Sequence, residues 1–282
     1  MDGSKSVPLQ LNPLTVIIIF CFSLTLVPLF YQFENVEKAE EKVLKLPQCQ
    51  DEETVETIID FFVYQSVWSA YGEDKITKRI NSAINTANRV LKNSCIPMRR
   101  RLGKLYPVDM KFKSLVKINV GGYHNELLHE VEPTIVEYIH TQPNRYYALI
   151  TDGLPENLVG VTHPYYPQFL ILSIRADKYV LEHELGHLAN AEHRGSKLSV
   201  IFERLITPEA NKDKLHSYAR GYNCGRRRTI MSTKPSSYSR LPVYSSPEIF
   251  YGGDACGDLE YGDNARRLRE YAYQLREKLK SR

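Results

Sequence analysis

HELGHLANAEH, residues 183–193, constrains this chain more than any other stretch. A helix over about 177–189, with Asp177 as its N-cap, puts Leu181, Leu185 and Leu188 on one stripe. His183 and His187 then share a second stripe nearly opposite. Such a helix buries one face and offers two imidazoles from the other. A pair four residues apart takes two corners of a zinc tetrahedron, and Glu184 stands beside it without occupying a ligand position. His193 completes a three-histidine set only if the chain turns sharply near residue 190, because a continued helix carries it out of reach. Asn190 stands where that turn must fall. After glycine, asparagine is the residue that best tolerates the left-handed backbone of a tight helix exit. The bland alternative is a polar helix with surface histidines, and three histidines and a glutamate at this spacing weigh against it.

The second strong signal is LTVIIIFCFSLTLVPLFY, residues 14–31, inside an uncharged span from Ser6 to Phe33. It is long enough to cross a bilayer and runs into Pro28, Leu29, Phe30 and Tyr31 without a small-residue cleavage site. It reads as an uncleaved single-pass transmembrane anchor after a short tail (1–13) and before a charged stalk (32–50). Lys5 precedes it and Glu34, Glu37, Glu40 and Glu41 follow, which places the main domain, 51–282, outside the cytoplasm. The expectation is a membrane-anchored periplasmic or extracellular protein, secreted if the segment is cleaved.

Cysteine usage agrees with export. Cys21 lies in the apolar span and leaves Cys49, Cys95, Cys224 and Cys256, which allow three pairings. Sequence order favours Cys49 with Cys95 and Cys224 with Cys256, with a free thiol or a metal role left open. In particular, Cys49 is a candidate latency thiol for the metal. The formal net charge of +4 in 282 residues, without a basic half, argues against a nucleic acid partner.

From residue 51 the pattern is α/β. Strands are expected at 58–64, 99–106, 114–120, 146–151 and 168–174, and helices at 74–93 and near 127–141, giving a mixed sheet with helices packed on it. From 194 to 262 regular patterns fade. The chain closes with a helix that Asp263 can cap, with Ala265, Leu268, Ala272, Leu275 and Leu279 on one face. His124, His129, His140, His163 and His216 have no ligand spacing to one another and read as surface or hydrogen-bonded structural residues.

The His-Glu-x-x-His…His stretch, followed by Thr229-Ile230-Met231-Ser232, resembles the metzincin clan of zinc endopeptidases. Residues 240–270 resemble the closing segment of its reprolysin-like (adamalysin-related) members of compact bacterial type. Two positions depart from that pattern, with Asn190 in place of glycine and Arg194 in place of the aspartate that usually follows the third histidine. The resemblance implies a zincin-like metzincin fold: a mixed, twisted sheet, an active-site helix, and an irregular C-terminal subdomain ending in a helix.

It also implies a zinc-dependent endopeptidase acting on a protein or peptide substrate. His183, His187 and His193 hold one catalytic Zn2+, Glu184 is the general base, and Met231 forms the Met-turn under the metal. Substrate is expected along an edge strand at 168–174, and residues 232–251 are expected to wall the specificity pocket, with Tyr238, Tyr244 and Tyr251 as candidate lining. The alternative from another class is a membrane-tethered zinc-binding protein with no proteolytic turnover.

Overall fold

Val55–Tyr64 (β2) is an almost unbroken apolar and aromatic run, as expected for a parallel strand covered on both faces, and it lies inside a five-stranded sheet. The computed structural model describes residues 43–282 apart from 115, 208, 210–211, 213–214 and 234–238. Leu44–Arg282 folds as one unit. After the short β1 (Leu44–Lys45), the elements that build the sheet are β2, β3 (Met98–Val108), β4 (Arg145–Thr151), β5 (Gly160–Thr162) and β6 (Phe169–Ser173). Their order is β3-β2-β4-β6-β5, with β5 alone antiparallel to its neighbour. A mixed α/β architecture of this kind is consistent with a zincin-like fold. The strand at 168–174 is therefore not the edge: β5 pairs outside it, Val161 opposite Ile171.

The helices follow the apolar periodicity where it is clean. After α1 (Gln65–Tyr71), α2 (Glu73–Asn93) buries Ile76, Ile80, Ile84, Ala87 and Leu91 on one face. The expected strand at 114–120 and single helix near 127–141 are replaced by α3 (Val120–Glu130) and α4 (Pro133–Thr141). Asn119 starts α3, its side chain accepting from the Gly122 N–H at 2.9 Å, and Pro133, which has no N–H to donate, opens α4 and breaks the run.

After the sheet, α5 (Val180–Leu188) and α6 (Lys197–Ile206) precede the hairpin of β7 (Asn223–Cys224) and β8 (Arg227–Arg228). A second small sheet joins β1, β9 (Ser246–Tyr251) and β10 (Asp254–Cys256). Leu44 and Lys45, at the end of the stretch read as a stalk, are thus strand residues opposite Tyr251 and Phe250. The final helix, α7 (Asn264–Lys280), is capped by Asp263, which accepts from the Arg266 N–H at 2.9 Å, and it buries Ala265, Leu268, Ala272 and Leu275.

Disulfides join Cys49 to Cys95 and Cys224 to Cys256. With its sulfur bonded to Cys95, Cys49 is not a latency thiol. Both bonds fit an oxidising compartment. The membrane reading is corrected: no helix among the described residues is long and apolar enough to cross a bilayer. The expected anchor at 14–31 lies outside the described residues. A transmembrane segment, a membrane partner and a single-pass localisation are accordingly not carried further.

Candidate metal centre

Helix α5 begins where Asp177 gathers the chain, its carboxylate accepting from the Tyr179 N–H at 2.7 Å and its carbonyl from the Val180 N–H at 3.1 Å. The helix ends in a Schellman motif. The Ala191 N–H reaches the Gly186 carbonyl and the Asn190 N–H reaches the His187 carbonyl, each at 2.9 Å. Asn190 has φ of 60°, the left-handed value that the exit requires. The Ala189 carbonyl, otherwise orphaned at the helix end, accepts from Arg267 Nε of α7 at 2.9 Å.

After the turn, Glu192 is held in an extended bridge. Its N–H donates to the Ala219 carbonyl and its own carbonyl accepts from the Gly221 N–H, both at 2.8 Å, while Asn264 adds a bond at 3.2 Å. This bridge directs the next residue, His193, back toward the helix. His193 Nε2 lies 2.9 Å from His183 Nε2 and 3.0 Å from His187 Nε2. The structure thus brings together the three histidines that the sequence singles out as a set that could hold a metal ion.

The tautomers follow from the partners. Nδ1 of His183 faces the Ile230 carbonyl at 2.9 Å and Nδ1 of His187 faces the Ala191 carbonyl at 3.0 Å. A carbonyl can only accept, so each Nδ1 carries the proton and each Nε2 turns a lone pair toward the common point. His193 Nε2 can give a single proton to one of them. Three converging imidazole nitrogens with at most one proton among them form a donor set that suits a borderline cation, and three histidines plus an open position is an arrangement zinc accepts.

Electrostatics keep these nitrogens unprotonated. Burial, ahead of weaker charge contributions, depresses His183 to about 4. His187 falls to about 3 through burial and the neighbouring His183 and His193, and His193 is lowered by burial and by Arg220. Glu184, one residue along the helix, is 5% exposed, and burial pushes its carboxyl up to about 8. That carboxylate lies against the outer strand: a Cβ at Gly160 of β5 would fall 2.7 Å from Glu184 Oε1. Any side chain at 160 would force the carboxylate to shift.

Beneath the helix, Thr229–Ser232 forms a tight turn closed by the Ser232 N–H on the Thr229 carbonyl at 3.1 Å. Met231 in this turn is fully buried, and its sulfur sits close enough to α5 that a Cβ at Gly186 would lie 2.9 Å from it. Tyr244 is not pocket lining. It is buried, with its hydroxyl directed at Glu182, while Tyr251 stands on β9 and its hydroxyl accepts from Arg227 Nε. Tyr238 lies outside the described residues. Arg194 is exposed.

Several supporting residues escape a reading of the sequence. The Ile230 and Ala191 carbonyls are backbone atoms, and Gly160, Arg100 and Tyr244, the last two meeting at Glu182 beside the motif, are separated from it by tens of residues, so no local pattern marks them. Helix α6 did carry a signal: Leu198, Ile201, Phe202, Leu205 and Ile206 recur at helical steps after a capping Ser196.

No family model matches the chain, and no curated relative does. Among solved structures, the chain is similar to one described as the structure of a chaperone-substrate complex, with 15% identity and a TM-score of 0.58 over 80% of this chain. That likeness shows a shared fold and no more. The chain spans about a third of that protein's length, 35%. A second superposition, on metalloproteinase-II from Bacteroides fragilis, covers 52% of this chain and 46% of the other at 16% identity, with a TM-score of 0.34, too low to support any argument.

Proposed function

We propose that the chain is a zinc-dependent endopeptidase of the metzincin type, reprolysin-like in its motif, acting on proteins or peptides. The observation that carries this reading is the convergence of three histidine Nε2 atoms, with the buried carboxylate of Glu184 on the helix that bears His183 and His187. His183, His187 and His193 are the residues that would hold the zinc. When bound, the ion supplies Lewis acidity, lowering the pKa of a water and polarising a carbonyl.

Glu184 is the general base. Buried on the helix that carries His183 and His187, its carboxylate removes a proton from the attacking water and passes it to the leaving amine nitrogen. Gly160 leaves room for this carboxylate against the outer strand. Met231, packed against Gly186, forms an apolar support, and the Ile230 carbonyl beside it fixes the His183 ring. Strand β5, with its outer side unpaired in the sheet, is where an extended peptide could add backbone hydrogen bonds.

The test is hydrolysis of a mixed peptide pool by the full chain loaded with zinc, compared with Glu184→Ala. Loss of cleavage with zinc retained is expected. Undiminished cleavage by the zinc-loaded variant overturns the assignment, and stoichiometric zinc without cleavage in either form favours zinc binding without turnover.

A further inference from the structure

Directly before the first histidine of the motif stands Glu182, whose side chain is fully buried. Its carboxylate receives two parallel bonds from Arg100 of β3, Nε to Oε2 at 3.0 Å and Nη2 to Oε1 at 3.1 Å, and neither side chain reaches solvent. Arg100 Nη1 continues to Thr57 Oγ1 of β2 at 3.1 Å. The Arg100 backbone is held to α2 by Asn88, which accepts from its N–H at 2.7 Å and donates to its carbonyl at 3.0 Å. Tyr244 closes the group from the other side: its hydroxyl lies 2.9 Å from both the Glu182 carboxylate and the Glu182 carbonyl, and its N–H donates to Ser94 Oγ at 2.8 Å. The same hydroxyl lies against Gly186, so the group touches α5 at two points about one turn apart.

An ion pair removed from water on this scale contributes little net stability compared with apolar residues of the same volume. Its bidentate geometry instead allows one orientation of the partners. We propose that Arg100 and Tyr244 are positioning residues, acting through Glu182 to set the rotation and depth of α5 and thereby the convergence of His183 and His187 on His193. The inference rests on reading the triad as a metal centre. Arg100 of β3 and the segment of Tyr244 meet α5 at one carboxylate, with α2 and β2 holding Arg100 from behind, and the backbone neighbour of that carboxylate's residue is His183. A small rotation of the helix moves both imidazoles away from His193 together.

The experiment uses the full chain with Arg100→Met/Glu182→Met, in which apolar side chains of comparable length replace the pair, and Arg100→Lys, which keeps the charge and loses the fork. Thermal unfolding reports the fold. Chelator competition with Zn2+ and the visible spectrum of the Co2+-loaded protein report the metal geometry. The double variant is expected to unfold within a few degrees of the wild type, yet to bind Zn2+ about 10-fold to 100-fold more weakly, with a changed Co2+ spectrum, and Arg100→Lys to fall between. A folded double variant with wild-type affinity and spectrum overturns the proposal and leaves a purely structural pair. Should the double variant fail to fold, Arg100→Lys decides in the same way: weaker Zn2+ and a shifted spectrum support the proposal, unchanged ones overturn it. A wild-type chain that binds neither ion removes the metal-centre reading, and this inference with it.

Discussion

The imidazole Nδ1 of His183 lies 2.9 Å from the backbone carbonyl of Ile230, which joins α5 to the turn that buries Met231. Because the partner is a main-chain oxygen, no substitution at 230 removes it, and the ring keeps its Nε2 aimed at the other histidines. Metal binding should therefore lock helix, turn and the segment of His193 together. With free zinc at 100 times its dissociation constant, the gain is about 2.7 kcal/mol, and the unfolding midpoint should rise by about 5 to 10 °C. Calorimetric scans of the full chain with and without a chelator check this, and His187→Ala should abolish the shift.

Asn190 sits at φ of 60° between two helix-closing bonds. Asn190→Gly should leave stability within a few tenths of a kcal/mol, since glycine takes the same backbone freely, whereas Asn190→Val should cost about 1 to 2 kcal/mol. Urea denaturation of the two variants side by side distinguishes these outcomes. Equal stability in both would mean that the left-handed exit is not what Asn190 provides.

Gly160 and Glu184 touch across the gap between β5 and α5. A methyl group in Gly160→Ala would lie 2.7 Å from Oε1 and 2.6 Å from Val180 Cγ1, so the carboxylate must shift. If Glu184 is the base, kcat should fall about 100-fold while zinc stoichiometry stays unchanged. Steady-state kinetics with metal analysis on the same sample separate the two quantities.

His124 is buried, with Nε2 2.8 Å from the Tyr147 hydroxyl, which also meets His140 Nε2 at 2.9 Å, and with no hydrogen bond at Nδ1. Burial, and then His140, lowers its pKa below the ordinary 6.5. The unfolded chain thus binds this proton more readily than the folded one. Its contribution to stability is complete above pH 6.5 and is lost as pH falls below that value through the folded pKa. The wild-type stability should decline over this acid window more steeply than that of His124→Gln, as read from urea midpoints at a series of pH values.

How much of this was legible beforehand depended on the distance over which each signal acts. The i, i+4 histidines, the leucine stripe of α5 and the helix exit at Asn190 are local consequences of 3.6 residues per turn and of one residue's tolerance for positive φ, and each appears where the spacing put it. The Met231 turn was implied by the family resemblance and not by local physics, since nothing in Thr-Ile-Met-Ser alone demands it. Strand β5 was hidden because three residues, Gly160–Thr162, among Gly, Pro and His carry no alternation, and their strand character comes from pairing with β6. The break between α3 and α4 was readable at Pro133, but the apolar run across it masked the boundary. Arg100 and Glu182, 82 residues apart, meet only because β3 lies beside β2 under α5, a tertiary fact with no sequence period.

The central claim, that three histidines hold a zinc which Glu184 uses to cleave peptides, is tested most directly by titrating the zinc-stripped full chain with Zn2+ while following hydrolysis of a mixed peptide pool. The account predicts activity that rises linearly and stops at one zinc per chain, absent from His193→Ala at every zinc level and absent from Glu184→Ala even when one zinc is bound. Cleavage that persists in the stripped chain, or that is unaffected by either substitution, contradicts it.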